Sequence, residues 1–247
     1  MQKEHKTWIT WIKDNLKALL WAAVIALGIR SFIAEPFHIP SGSMIPSLLV
    51  GDYLFVSKYS YGFSRYSLPF GLPLIPGRIF YTEPERGDVA VFKLPSDNKT
   101  DYIKRIIGLP GDTIQVVNGI LHINGTAVKR TPKGKHTEKT FYGDITYTVY
   151  DEELPNGVVH EIMEETDDQP QDNTISFAVP EDHFFVMGDN RDNSKDSRWG
   201  DIGFVPKQNL LGKAQFIFYS NNGYAPFLAF WNWGRSIRTE RLFKGIR

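Results

Sequence analysis

The chain has 247 residues with 28 basic and 28 acidic side chains, so it can hold one sizeable domain with an insertion but presents no net field that would attract nucleic acid. Aromatic residues make up 14% of it, which is typical of strands, interfaces or a membrane surface. It contains no cysteine, which excludes disulfides, thiol nucleophiles and cysteine-based metal sites.

The first element that the sequence predicts is an apolar helix near the amino terminus. Residues 18–29 read ALLWAAVIALGI without a charge, and apolar residues resume after Arg30. This run is shorter than the roughly 20 residues that span a bilayer, but Lys17 and Arg30 can extend their charged ends to the headgroups and lengthen it. Because small residues at cleavage spacing are absent beyond the run, an uncleaved transmembrane anchor over 16–34 is favoured over a removed signal sequence.

The charges before this run predict its orientation. Four lysines precede or border it and favour an amino-terminal segment, 1–15, that stays in the cytoplasm: Lys3, Lys6, Lys13 and Lys17. The rest of the chain would then lie on the opposite side of the membrane.

Beyond residue 36 the chain changes to short apolar or alternating runs separated by turn residues. Strands are predicted near 52–58, 88–93, 102–107 and 113–117, and Asn118-Gly119 predicts a tight hairpin turn. No amphipathic helical stretch separates these runs, so an antiparallel, partly closed β architecture is favoured over a doubly wound sheet. The polar, charged stretch 128–171 is typical of a solvated loop or a peripheral subdomain.

Three segments crowd turn residues around polar groups: 39–46 (IPSGSMIP), 102–112 (YIKRIIGLPGD) and 188–198 (GDNRDNSKDSR). In the first, Pro40 and Pro46 restrict the chain around Ser43, which predicts a serine exposed on a rigid loop. A plain turn is the alternative. In the second, strand alternation places Lys104 on one face with Tyr102 and Ile106. Burial there would lower the pKa of the lysine, whereas an edge-strand lysine in water would be inert.

Histidine and metal chemistry find less support. None of the six histidines has a recognisable partner pattern for a Ser-His-Asp triad, and no metal-ligand spacing occurs. The third segment lacks the pattern of a calcium loop. Its interleaved Asp and Arg residues instead predict internal ion pairs that leave Ser194 free to bind a catalytic group.

Together, PSGSM, YIKRIIGLPGD and GDNRDNSKDSR after a membrane segment resemble the bacterial type I signal peptidase family, which uses a Ser-Lys dyad. The resemblance covers 36–112 and 179–206 closely, the anchor loosely and the polar insertion hardly at all. It departs in small ways: Ser47 stands where the family often has Thr, and the cysteine pair of some members is absent.

The resemblance implies a role for each matching position. Ser43 would be the nucleophile and Lys104 the general base. Ser41 would help to line the oxyanion hole, Ser194 would orient the base, and Asp196 and Arg198 would form a structural ion pair. The substrate-binding positions are apolar, which suits small side chains at substrate positions −1 and −3: Phe37, Ile39, Met44, Leu48, Leu54, Val91, Tyr102 and Ile103.

The family's fold is mainly β, with an inserted second β subdomain. On this basis we expect an anchor at 16–34, a catalytic β core at 36–114 and 179–235, an insertion at 115–178 and a carboxy-terminal tail at 236–247. The resemblance implies a single-pass endopeptidase of the bacterial inner membrane, with its catalytic domain on the periplasmic side. Its substrates would be secreted preproteins, and it would need no cofactor or metal.

Two other interpretations remain open from the sequence. A self-cleaving repressor-type protease uses the same dyad, but such proteins are soluble and carry a DNA-binding part. A membrane-tethered β domain that binds peptides by strand addition would leave Ser43 and Lys104 incidental. The aromatic stretch 224–233 (YAPFLAFWNW) is predicted to touch the outer bilayer surface, with core packing as the alternative.

Overall fold

The structure, a computed structural model, describes residues 8–140, 143–223 and 230–246. A long helix, α1 (Trp8–Phe32), precedes a body built mainly of antiparallel strands, and a short helix, α2 (Trp233–Ser236), lies near the carboxyl end. This confirms the predicted mainly β fold with one apolar helix at the amino-terminal end.

The strands of the described ranges are β1 (Ala34–His38), β2 (Asp52–Ser57), β3 (Phe63–Ser64), β4 (Arg78–Ile79), β5 (Val89–Lys93), β6 (Asp101–Gly108), β7 (Thr113–Val117), β8 (Ile120–Ile123), β9 (Thr126–Ala127), β10 (Lys129–Thr140), β11 (Gly143–Glu153), β12 (Val159–Glu164), β13 (Phe177–Ala178), β14 (His183–Met187), β15 (Val205–Pro206), β16 (Leu210–Ser220) and β17 (Lys244–Gly245).

Helix α1 is long and apolar enough to cross a membrane. Its stretch Thr10–Phe32 has a mean hydropathy of 1.4, and only 6% of it is buried within the protein. An apolar helix exposed on all sides is stable where lipid replaces water. The helix begins at Trp8, earlier than the predicted anchor, and ends at Phe32 because Ala34 already pairs with Ser57 in the first strand pair.

The largest sheet has eight strands in the order β1-β2-β16-β5-β6-β14-β15, and β17 also pairs with β16. Apolar residues alternate along its central strands, so both faces are covered. Val91 and Ile103 contribute to a cluster on one face, whereas Phe92 and Ile106 contribute to a second cluster on the other. The sheet is therefore a rigid, two-sided platform that carries the site described below.

A smaller sheet, in the order β13-β7-β8-β9, packs its apolar side chains with those of β6 and β14. Asn118 and Gly119 have φ values of 48° and 71°, and they connect β7 to β8. Positive φ at both central positions is the geometry of a type I′ turn. The hairpin predicted at Asn118-Gly119 is therefore confirmed.

The polar stretch 128–171 contains long strands rather than only solvated loops. Strands β10 and β11 pair from Lys129 with Glu153 to Thr140 with Gly143, and β12 adds a third strand. Lys133 bridges Asp151 and Glu161 across neighbouring strands. Backbone ladders and opposite charges, which a hydrophobicity pattern does not reveal, therefore sustain this sheet. The domain boundaries stay a prediction.

The described part of the carboxy-terminal segment, residues 236–246, is attached to the core. Phe216 of β16 pairs with Gly245, and the Arg241 guanidinium binds the fully buried Asp52 carboxylate at 2.5 Å. Asp52 also accepts from Ser220 Oγ at 2.6 Å, and Arg241 donates to Ser47 O at 2.9 Å. The segment thus reaches the chain a few residues beyond Ser43. The membrane contact predicted at 224–233 lies mostly outside the described residues.

We expect that Arg241→Leu lowers the free energy of unfolding by about 3 kcal/mol, because it leaves the fully buried Asp52 carboxylate with only the more distant Arg238, at 3.8 Å, as its cationic partner. Urea unfolding of the full chain in detergent measures this. The double variant Arg241→Leu/Asp52→Asn should recover part of the loss. Lys207→Ala, which breaks the exposed pair with Asp182, should change stability by less than about 1 kcal/mol. A loss for Arg241→Leu as small as that of this control would contradict the assignment.

Candidate active site

Ser43 lies on a tight turn between β1 and β2. The backbone N–H of Ile45 donates to Gly42 O at 3.1 Å, and that of Leu48 donates to Met44 O at 2.8 Å. Met44 and Leu48 are fully buried, whereas Ser43 keeps part of its surface exposed. The apolar anchors on either side hold the turn against the core and leave the serine hydroxyl accessible.

Lys104 approaches Ser43 from the central sheet. Its Nζ lies 2.6 Å from Ser43 Oγ and 3.0 Å from Ile103 O. The residue is only 3% exposed, and its Nζ lies 5.7 Å from the centre of the Tyr102 ring. Strand alternation on β6 therefore brings the amine to the serine through a largely apolar environment.

Burial lowers the pKa of Lys104 to about 8. The carboxylates of Asp196 and Asp189 oppose this shift, and the guanidinium of Arg198 adds to it. Both carboxylates have closer cationic partners, because Asp196 pairs with Arg198 and Asp189 pairs with Arg105. Desolvation of the amine consequently dominates.

Ser41 also lies near the nucleophile position. Its Oγ is 3.4 Å from Ser43 Oγ, and the side chain is exposed. The Ser43 N–H donates to no group within the described residues. The turn thus contains a backbone donor and a hydroxyl that are not bound to other groups of the protein core in the part of the chain that the structure describes.

Ser194 is close to the site but does not bind Lys104. Its Oγ is buried and no hydrogen bond joins it to Lys104 Nζ in the described residues, whereas its interaction with Asp196 helps to lower the pKa of that carboxylate. Nearby, Arg198 Nε donates to Asp196 Oδ1 at 2.9 Å and Arg198 Nη2 donates to Oδ2 at 2.9 Å, in a pair that is almost completely buried. Burial alone would raise the pKa of Asp196, but the Arg198 guanidinium outweighs it and holds that pKa below its usual value.

The structure brings together seven of the eight apolar positions matched to substrate binding. They share one core cluster: Phe37, Ile39, Met44, Leu48, Leu54, Val91 and Ile103. Tyr102 is the exception, because it packs with a different core cluster, and its ring centre lies 5.7 Å from Lys104 Nζ. Five members of the set are at most 2% exposed, so they form a floor rather than an open surface: Ile39, Met44, Leu48, Leu54 and Val91.

Sequence reasoning missed two residues that hold the serine turn in place. The Asn190 N–H donates to Ser43 O at 3.2 Å, and Asn190 Nδ2 donates to Gly42 O at 3.2 Å. A Cβ on Gly188 would lie 2.2 Å from Ser194 Oγ and 2.5 Å from Ser43 O. The sequence signal for both is their place in the segment 188–198, between charged residues that form ion pairs.

A buried ion pair positions this segment. Arg105 Nε and Nη2 donate to Asp189 at 2.8 and 2.7 Å, and both side chains are at most 1% exposed. Arg105 follows Lys104 on β6, so it points to the opposite face of the strand. Arg105 also donates to Ser47 Oγ at 3.3 Å.

The arrangement places a serine hydroxyl against an amine that can be neutral near physiological pH, which is the combination needed for nucleophilic catalysis. The histidines do not offer an equivalent. His38 lies on β1 with its ring 4.8 Å from that of Tyr53, and His160 contacts Glu152 and Asp189. No group of three His, Asp or Glu side chains in the described ranges could hold a metal ion.

Comparisons with known proteins show the family of this chain. The sequence profile of the family described as signal peptidase, peptidase S26, matches residues 9–219. A signal peptidase I of Rickettsia typhi is 40% identical over 99% of this chain and 96% of its own length. One of Rickettsia akari is 43% identical over 90% of this chain and 88% of its own.

Among solved structures, a signal peptidase I from Enterococcus faecalis V583 matches with 26% identity and a TM-score of 0.32. It covers 53% of this chain and 97% of its own. On the family profile and the near full-length relatives, this chain belongs to the signal peptidase family, peptidase S26.

Proposed function

We propose that this chain is a membrane-bound serine endopeptidase that removes signal peptides from secreted preproteins with Ser43 as nucleophile and Lys104 as general base. The observation that carries the proposal is the 2.6 Å approach of Lys104 Nζ to Ser43 Oγ, with the amine buried and its pKa lowered to about 8. Family membership supports the reaction, since signal peptidases I are serine peptidases that cleave signal peptides.

The reaction proceeds in two halves. Neutral Lys104 Nζ accepts the proton of Ser43 Oγ while the oxygen attacks the scissile carbonyl. The ammonium then protonates the leaving amine, which becomes the new amino terminus of the mature protein, and an acyl-enzyme ester remains on Ser43. Lys104, neutral again, accepts a proton from water as the water attacks the ester. The ammonium returns that proton to Ser43 Oγ as the signal peptide leaves.

The negative charge on the tetrahedral oxygen needs donors at a fixed position. The Ser43 N–H and the Ser41 hydroxyl fill this role, because the turn and Asn190 hold the backbone around them. Ser194 acts on Lys104 only if its hydroxyl rotates toward Nζ, since no hydrogen bond joins them here. Its role is therefore the orientation of the amine rather than proton transfer.

Specificity for small residues at −1 and −3 follows from the apolar floor. Ile39, Met44 and Leu54 are packed into the core and leave no depth for a bulky substrate side chain. The edge strand β1 lies beside this floor and carries Phe37. An extended substrate segment can bind along such an edge by backbone hydrogen bonds.

Helix α1 supplies the membrane attachment. It crosses the bacterial inner membrane once, with its lysine-rich start in the cytoplasm and the β domain on the periplasmic side. This orientation places the serine on the side of the membrane where preproteins emerge.

We expect Lys104→Arg to abolish cleavage while the fold is kept, because an arginine stays protonated and cannot accept the serine proton. Ser43→Ala should abolish it as well. For the wild type, the cleavage rate should fall as pH drops below about 8, where Lys104 becomes protonated. The rate of preprotein cleavage, measured against pH for the wild type, Lys104→Arg and Ser43→Ala, tests these expectations.

Lys213→Arg is the matched control, because this lysine lies on β16 and pairs with Asp88 rather than with Ser43. It should keep near-normal activity and the same pH profile. Appreciable activity in Lys104→Arg would contradict the dyad. So would an acidic limb near pH 6.5 that disappears in His38→Ala, since that result would reinstate a histidine base.

We expect Gly188→Ala to reduce the turnover number by about 100-fold or more, because its Cβ would displace Ser43 O and Ser194. Gly200→Ala is the control, since a Cβ there meets nothing within 4 Å. Steady-state kinetics and circular dichroism of both variants separate a misplaced turn from a misfolded protein. Equal activity in the two variants would refute the positioning role.

The specificity proposal is tested on the substrate. A preprotein with Ala→Leu at −1 should be cleaved orders of magnitude more slowly, because the added side chain meets the packed floor beneath Ser43. The same replacement at −2 should have little effect. Near-normal cleavage of the −1 variant would overturn the assignment of the floor to substrate binding.

A further inference from the structure

A cavity of about 500 Å³ lies between the end of α1 and the segment that joins β3 to β4. Leu27, Arg30 and Ser31 of α1 form one wall, and Leu68 and Gly71 lie on the facing segment. The Phe32 and Phe63 rings are in contact, with centroids 5.4 Å apart, so β3 is held against the helix end. The cavity is therefore part of the junction between the helix and the β domain, and it is separate from Ser43 and Lys104.

The lining carries an excess of positive charge. Its basic side chains outnumber its acidic ones, Glu35 and Asp101; the basic ones are Arg30, Lys58, Arg65, Lys93 and Lys99.

Some of these cations already have partners. Arg30 and Lys58 both bind Glu35, and Lys93 binds Asp101. Arg65 and Lys99 have no ion pair among the described residues. Arg65 rests on the Tyr66 ring, with its guanidinium 4.9 Å from the ring centre. Two cations are thus left to neutralise an anion in the cavity.

The part of α1 that lines the cavity lies close to the end of the helix, over a length comparable to the headgroup layer of a membrane. Leu27 lies five residues before the end of α1 at Phe32, a rise of about 7.5 Å at 1.5 Å per residue. A headgroup layer is roughly 5 to 7 Å thick on each side of the hydrocarbon core. With α1 across the bilayer, the cavity opens at the level of the lipid phosphates.

The segment between β3 and β4 also exposes apolar side chains. Leu72 and Leu74, which follow the cavity-lining Gly71, are 45% and 73% exposed, and Phe80, directly after β4, is 81% exposed. Exposed leucine and phenylalanine next to cations are typical of surfaces that enter the interfacial layer of a bilayer. A lipid bound in the cavity would extend its acyl chains toward such residues.

We propose that this cavity binds the phosphate headgroup of an anionic phospholipid in the extracytoplasmic leaflet, with Arg65 and Lys99 as its principal cations. The inference rests on the membrane-spanning role proposed for α1. Its chemistry is phosphate recognition, for which a lipid or free phosphate could be the source. The position at the helix end and the adjoining apolar side chains favour the lipid.

The experiment is native mass spectrometry of the full chain in detergent, titrated with phosphatidylglycerol or with phosphatidylcholine. The first phosphatidylglycerol should bind at least about five-fold more tightly than phosphatidylcholine. Arg65→Gln/Lys99→Gln should remove this preference and leave the affinity for phosphatidylcholine unchanged. Lys129→Gln/Lys135→Gln, which removes two charges from β10, is the matched control and should bind as the wild type does.

Two further measurements make the result decisive. Cleavage of a soluble reporter peptide should be equal in the wild type and the two double variants. None of the four substituted residues contacts Ser43 or Lys104. Inorganic phosphate in ten-fold excess over the lipid should not displace phosphatidylglycerol. Displacement would identify a site for free phosphate and overturn the lipid assignment, as would an unchanged preference in Arg65→Gln/Lys99→Gln.

The membrane role of α1 is tested separately by flotation of the chain with vesicles after alkaline carbonate extraction. If the chain floats but shows no lipid preference, the headgroup site alone fails. If the chain does not float, the spanning role fails and the headgroup site falls with it.

Discussion

The buried ion pair between Arg105 and Asp189 connects the parts of the protein on which the site depends. Arg105 belongs to β6, one residue after Lys104, and Asp189 begins the segment whose next residue, Asn190, binds the backbone of Ser43. Burial alone would raise the pKa of Asp189, but the Arg105 guanidinium holds it below its usual value. Loss of either partner would leave a bare charge in the core, at a cost of about 3 to 5 kcal/mol. The strand that carries the amine and the turn that carries the hydroxyl are thus held by one interaction.

Strand β6 places two neighbouring basic residues, Lys104 and Arg105, in different electrostatic environments. Arg105 keeps its charge because a carboxylate meets it, whereas Lys104 faces Tyr102 and the serine and has its pKa lowered to about 8. Between about pH 8 and the ordinary value of 10.5, the unfolded chain would bind more protons than the folded one. Stability should therefore rise with pH across this window and be reduced below it. The fold carries that cost at neutral pH, and the proposed chemistry requires it, because a fully solvated lysine would stay protonated.

Local patterns predicted much of this structure. Alternation around Lys104 and the Asn118-Gly119 turn are properties of neighbouring residues, and the structure has both. The apolar pattern of the sequence does not predict the long strands β10 and β11, because charged cross-strand pairs stabilise them. Tyr102, which the resemblance matches to substrate binding, packs with a different core cluster from the other seven matched positions, and its role stays a prediction. The pairing of Asp52 with Arg241 joins residues 189 positions apart, and no local pattern reports such a contact.

The inserted sheet is coupled to the site through charge rather than through apolar packing alone. Arg191 binds the buried Glu152 of β11, and the Met163 N–H of β12 donates to Asp189 O at 2.9 Å. The Arg191 guanidinium holds the pKa of Glu152 far below its usual value in spite of burial. The segment 189–191, which positions Ser43, is consequently bound both by Arg105 of β6 and by residues of the inserted sheet. Shortening the outer, solvent-exposed part of the β10–β11 hairpin should leave these contacts intact, whereas removing the whole insertion would expose or unpair Arg191 and loosen the turn that carries the serine.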